Sequence, residues 1–129
     1  MPLDVQLVSP EQILFEGEAE MVVCRPVDGE IAFLAGHVPY LGALRDDSVR
    51  ILTSGGGETA AAVHGGFVEV SHDRVTILSD VAELASQIDV TRARQAADRA
   101  EGHMRDSHDA ECEAALRRAH VRVQLAESR

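Results

Sequence analysis

The chain has 129 residues, 45% hydrophobic and 26% charged, which suits one compact domain or a small domain with an appendage and excludes a disordered segment. Its formal net charge of -10 resides in residues 1–85, where 14 acids face 4 arginines, while residues 86–129 balance 8 acids with 8 arginines. An acidic front argues against a nucleic-acid partner and against direct docking on anionic lipid.

Residues 3–9 alternate apolar and polar side chains with period two, the pattern of a half-buried strand. Ser9-Pro10-Glu11 reads as a turn, and Ile13-Leu14-Phe15 as a short buried run ended by Gly17. Met21 to Cys24 forms the next strand, closed by Pro26, and Glu30 to Phe33 another. Asp28-Gly29 and Gly36 bracket this last run, and Pro39 keeps the chain from continuing as a central strand. Ser48 to Thr53 and Thr59 to His64 flank Gly55-Gly56-Gly57, a hairpin with a glycine-rich tip. Phe67 to Val70, a Ser71-His72-Asp73 turn and Arg74 to Leu78 make a second hairpin, and Val81 to Ala85 offers a last short strand. Turn signals at such spacing mark a sandwich or barrel. The first part is therefore expected to be all-β and antiparallel, with seven to ten short strands. With no tryptophan and 3% aromatic residues, its core has to come from Val, Leu, Ile and Ala.

After Asp89 the period changes. Ala93, Ala96, Ala97, Ala100 and Met104 form one helical stripe, with Asp89 or Thr91 as cap. Asp106 to Asp109 makes a turn. A second stripe follows through Cys112, Ala115, Leu116, Ala119, Val123 and Ala126. The expectation is a C-terminal two-helix antiparallel hairpin, and an alanine-rich seam buries little area and holds it only weakly. The boundary falls between residues 1–86 and 87–129.

Catalytic chemistry finds no support in the sequence. The glycine run lacks the lysine of a phosphate loop, since all 12 cations are arginine. The six histidines and two cysteines show no metal-ligand spacing, and no nucleophile elbow accompanies the serines. His37, beside Gly36 and Pro39, suits a loop-bracing or partner-contacting residue better than a base. Cys24 and Cys112 read as reduced thiols of a cytosolic protein. The sequence shows no signal peptide and no apolar run of spanning length, so no direct membrane insertion is expected.

The arginines of the back end are more telling. Arg92, Arg94, Arg105 and Arg117 each have an acid three or four residues away, whereas Arg99, Arg118 and Arg122 have none. Arg92 and Arg99 share one helix face, and Arg118 and Arg122 another. Packed antiparallel, the two faces can converge on an anion, either a phosphate group or an acidic partner helix; a solvated basic face is the alternative.

Gly29 to Pro39, then Gly65 to Val70, then Val75 to Leu78 resemble the epsilon subunit family of F-type ATP synthases along the whole chain. The resemblance implies an all-β N-terminal sandwich of about ten antiparallel strands followed by a C-terminal two-helix antiparallel hairpin, and a non-catalytic rotor subunit that needs no cofactor. Its sandwich would bind the gamma shaft and the ring of c subunits. Its helices would lie folded on the sandwich, or extend toward the catalytic alpha and beta subunits and block ATP hydrolysis. The ring contact would fall on Asp28, Gly29, Glu30, Gly36, His37, Val38 and Pro39. Some bacterial members bind regulatory ATP through Ile/Leu-Asp-x-x-Arg-Ala, matched here by Ile88-Asp89-Val90-Thr91-Arg92-Ala93. The further ligands implied are Glu83, Arg99, Arg118 and Arg122. The second helix is expected to end early, at about Ala126. The implied location is the cytoplasmic face of the cell membrane, as a peripheral part of the synthase. A free-standing ATP-sensing module, built on the arginines alone, is the rival expectation.

Overall fold

The computed structural model describes residues 2–27, 29–106 and 110–128. Ten strands precede two helices: β1 (Leu3–Val8), β2 (Ile13–Ala19), β3 (Met21–Cys24), β4 (Ile31–Leu34), β5 (Tyr40–Ala43), β6 (Asp47–Leu52), β7 (Glu58–Val63), β8 (Phe67–Ser71), β9 (Arg74–Leu78) and β10 (Ala82–Leu84), then α1 (Val90–Asp106) and α2 (Ala110–Ser128). A single 3-10 turn, Ala85–Gln87, joins the two parts.

The strands form two five-stranded sheets, ordered β2-β1-β9-β8-β5 and β10-β7-β6-β3-β4. Every strand pair is antiparallel except β1 with β9, which run parallel from Asp4 opposite Arg74 to Val8 opposite Leu78. A parallel pair needs a crossover, and here the whole intervening chain supplies it. The period-two alternation buries Leu3, Val5 and Leu7 from β1 against Val22, Val49, Ile51, Val68, Val70, Val75 and Ile77. The aliphatic core expected from composition also takes in Phe33 and Cys24, both fully buried. Phe33 meets the rings of His37 at 4.9 Å and Tyr40 at 5.5 Å, and burying it contributes about 1.5–3 kcal/mol.

Two strands differ from the sequence reading. β2 runs through Gly17 to Ala19: it is an edge strand, and Gly17 keeps its pairing with Val5 of β1. β5 follows Pro39 directly and carries Gly42, so it shows no alternation to read. It is an edge strand, the place in a sheet that tolerates a neighbouring proline. The His72-Asp73 turn takes left-handed φ values of 51° and 59°, matching a tight two-residue hairpin connection.

Asp89 caps α1. Its carboxylate accepts the Arg92 amide at 3.0 Å and its carbonyl accepts the Ala93 amide at 2.9 Å. Thr91, the other candidate, lies inside the helix. The expected interhelical turn, residues 106–109, falls largely outside the described residues. The helices are antiparallel: Arg94 Nε donates to Glu127 at 2.8 Å, and Glu101 lies 3.3 Å from His120. Seven residues forward along α1 correspond to seven backward along α2, one consistent register. α2 continues past Ala126 to Ser128. The hairpin lies folded on the sandwich, where Leu125 and Ala126 of α2 pack with Ala62, Ala85, Ile88 and Ala93.

Candidate functional site

The junction of sandwich and hairpin encloses a cavity of about 350 Å³ lined by Glu83, Gln87, Ile88, Asp89, Arg92, Ala93, Ala96, Arg99 and Arg122. Seven of the eight residues named from the resemblance meet there. Each reaches it for a local reason. Glu83 comes from β10, which pairs with β7 through Ala62. Ile88 and Ala93 are buried and form part of the seam that docks the hairpin. Asp89 is the helix cap, so its carboxylate is already occupied by backbone. Arg92 and Arg99, two turns apart on α1, both face the cavity. Among the described residues neither guanidinium has an ion-pair partner.

Arg118 and Arg122 do not behave as expected. Arg122 Nε donates to Glu83 at 2.6 Å. Arg118 does not line the cavity; it faces Asp46 at 3.9 Å and Glu111 at 3.3 Å. The anions that answer these two arginines are internal, and they come from the sandwich or from a residue seven positions away. Spacing of three or four along a helix cannot see them. Arg94 likewise pairs with Glu127 across the hairpin rather than with Asp98.

Sequence reading missed Gln87, Ala96, Asp46 and His64. Gln87 supports the entry to the helices, its side chain accepting the Leu84 amide at 3.3 Å. His64 is buried at the end of β7, and neither of its ring nitrogens has a hydrogen-bond partner among the described residues. Burial, then the charge of Arg122, pushes its pKa down to about 4, against a smaller pull upward from Asp46 and Glu83. These residues come from separate elements, so no local motif announces them. A larger groove of about 590 Å³ lies between the sheet and α2, but the Arg50–Glu58 pair on its wall is satisfied within itself.

The residues expected to touch a ring of c subunits flank β4 at its two ends. Asp28 lies outside the described residues. Gly29 adopts φ 144° and its amide donates to Pro26, while Glu30 faces Arg25 at 3.9 Å. On the far side of the strand, the Gly36 amide donates to Asp73 at 2.7 Å, and His37 Nδ1 lies 2.7 Å from the Val38 carbonyl. Four residues of strand set the two groups about 13 Å apart. They share an edge rather than a tip: β4 and β5 are the edge strands of their sheets, joined by the loop through Pro39. That edge leaves Leu34, Val38 and Leu41 half to mostly exposed, at 52%, 70% and 71%.

No described helix is long and apolar enough to cross a membrane. Residues 2–85 match the family model for the ATP synthase delta/epsilon chain beta-sandwich domain, and residues 86–127 match that for its long alpha-helix domain. The chain is 47% identical to the ATP synthase epsilon chain of Thermobifida fusca, covering 98% of this chain and 93% of that one. It is 44% identical to that of Streptomyces griseus, with 94% and 92% covered, and 43% identical to that of Brevibacillus brevis, with 82% and 80% covered. Among solved structures, a chain of the Euglena gracilis mitochondrial ATP synthase, OSCP/F1/c-ring, shares the fold at a TM-score of 0.84 and 21% identity, with 98% of this chain and 81% of that one covered.

Proposed function

The chain belongs to the delta/epsilon chain family of ATP synthases and is an epsilon-type, non-catalytic chain, and we propose that it is a rotor subunit whose folded hairpin is held by ATP. The sandwich joins the gamma shaft to the ring of c subunits on the cytoplasmic face of the membrane. The exposed β4–β5 edge suits the ring contact, because an uncovered edge with apolar side chains is a surface a partner has to cover. Glu30, Gly36, His37, Val38 and Pro39 then act along that edge.

The observation that carries the regulatory part is the cavity at the hairpin junction. It holds Arg92, Arg99 and Arg122 against Glu83 and Asp89, so it has a surplus of positive charge. Its volume suits a small ligand. Phosphate oxygens would take bidentate hydrogen bonds from Arg92 and Arg99, whose guanidinium groups have no ion-pair partner among the described residues, and would compete with Glu83 for Arg122. A ligand bridging α1, α2 and β10 favours the folded hairpin by mass action. The released hairpin is the form that reaches toward the catalytic subunits and inhibits hydrolysis.

Calorimetry of ATP with the full chain tests the ligand. A saturable heat is expected, and Arg92→Ala or Arg99→Ala weakens binding by about 1.5–3 kcal/mol. Absence of any heat with the wild type contradicts ATP as the ligand.

A further inference from the structure

The end of β7 holds a buried histidine that neither the rotor role nor the nucleotide cavity uses. The His64 side chain is 4% exposed, and its Nε2 lies 3.9 Å from Glu83. Its backbone amide donates to the Val81 carbonyl at 2.9 Å, which anchors the residue between β7 and the approach to β10. Four charged groups act on it. Glu83 from β10 and Asp46 from the turn before β6 belong to the sandwich, and Arg118 and Arg122 belong to α2. The two arginines are spoken for by the two acids, Arg122 by Glu83 at 2.6 Å and Arg118 by Asp46 at 3.9 Å.

We propose that His64 is a proton-operated release for the hairpin, in which the imidazolium displaces Arg122 from Glu83 and frees α2 from the sandwich. His64 and Arg122 are rival cations for one carboxylate. With the hairpin docked, Arg122 occupies Glu83, and a protonated ring would be a buried, unpaired charge beside two guanidinium groups. With the hairpin released, both arginines leave together, and Glu83 and Asp46 remain beside an exposed ring that protonates readily. Between its two titrations, released chain therefore binds up to one proton more than docked chain.

The direction follows from linkage. The ring titrates at about 4 when docked, against an ordinary value of 6.5. Docking is at full strength above the ordinary value, weakens as pH falls through the window from 6.5 toward 4, and levels off below it. Between pH 7.5 and 5.5, above the ordinary carboxylate range, the docking equilibrium falls about tenfold. His120 on α2 faces Glu101 of α1 within the hairpin, 3.3 Å away, rather than the sandwich.

The test uses the full chain without nucleotide. Ala126→Cys in a Cys112→Ala background places a thiol on the buried docking seam, where it reacts only when the hairpin opens; Cys24 is fully buried in the sandwich. The labelling rate, divided by that of the unfolded chain at the same pH, reads the released fraction. It is expected to rise about tenfold from pH 7.5 to 5.5. His64→Gln removes the rise and His120→Gln keeps it. A flat wild-type profile, or a rise that survives His64→Gln, overturns the proposal. Should the glutamine variant fail to fold, the NMR titration of the wild-type His64 ring decides: a midpoint near its ordinary value overturns the proposal, and one well below supports it.

Discussion

Arg122 Nε donates to Glu83 across 2.6 Å, and this bond ties α2 to β10, 39 residues earlier in the chain. Both partners are about one-third exposed, so solvent screens the pair and its worth stays modest. Glu83→Gln keeps the shape and removes the charge. It is expected to weaken docking by about 1 kcal/mol, read as a severalfold faster labelling of Ala126→Cys.

The hairpin should also release when its apolar anchor is cut. Leu125 is the large side chain that α2 buries in a seam made of Ile88 and alanines. Leu125→Ala is expected to cost about 2–3 kcal/mol of docking with the sandwich intact. Hydrogen exchange then accelerates in α1 and α2 and stays unchanged in β1, β8 and β9.

Arg118 separates the nucleotide cavity from the rest of the docking surface. It faces Asp46 and Glu111 and does not line the cavity. Arg118→Ala is expected to change ATP affinity by less than about threefold, whereas Arg99→Ala changes it by tenfold or more, on the order expected for a charge-assisted hydrogen bond. Equal losses for the two variants would place the ligand elsewhere.

How much of this could be read beforehand follows from where each signal resides. β1, β6, β8 and β9 were legible because half-buried strands alternate, β3 because a short apolar run is closed by Pro26, and Ile88-Asp89 marked the helix start because a cap and a buried anchor are local requirements. β5 was not legible: Tyr40-Leu41-Gly42-Ala43 owes its place to pairing with β8, a long-range fact. The same holds for the parallel match of β1 to β9. Arg92 and Arg99 were legible as a cavity face from helical spacing alone. Arg118 and Arg122 were misjudged as unpaired, since Asp46 and Glu83 arrive from the sandwich. His64 carried no pattern at all, because its environment exists only once β7, β10 and α2 meet.

Gly66 tests the sandwich itself. It has φ 120°, and a Cβ there would lie 2.0 Å from the Leu78 carbonyl oxygen. Backbone, not a flexible side chain, stands in the way. Gly66→Ala is expected to lower the unfolding free energy by about 3 kcal/mol or more, measured by denaturant unfolding.

The two thiols should differ sharply. Burial raises the Cys24 thiol to about 12, so it stays protonated and shielded at neutral pH. Cys112 is only half-buried on α2. A thiol reagent at pH 7.5 is expected to modify Cys112 in the native chain and to reach Cys24 only after unfolding.

A rotor subunit that carries its regulation in the hairpin keeps its place in the synthase but loses its brake when the hairpin is removed. ATP hydrolysis by the synthase reassembled with either the full chain or the chain cut after residue 86 tests it most directly. Both forms are expected to be retained by the gamma shaft, and the synthase carrying the cut form is expected to hydrolyse ATP faster when nucleotide is scarce. Equal hydrolysis rates from two equally retained forms would contradict it.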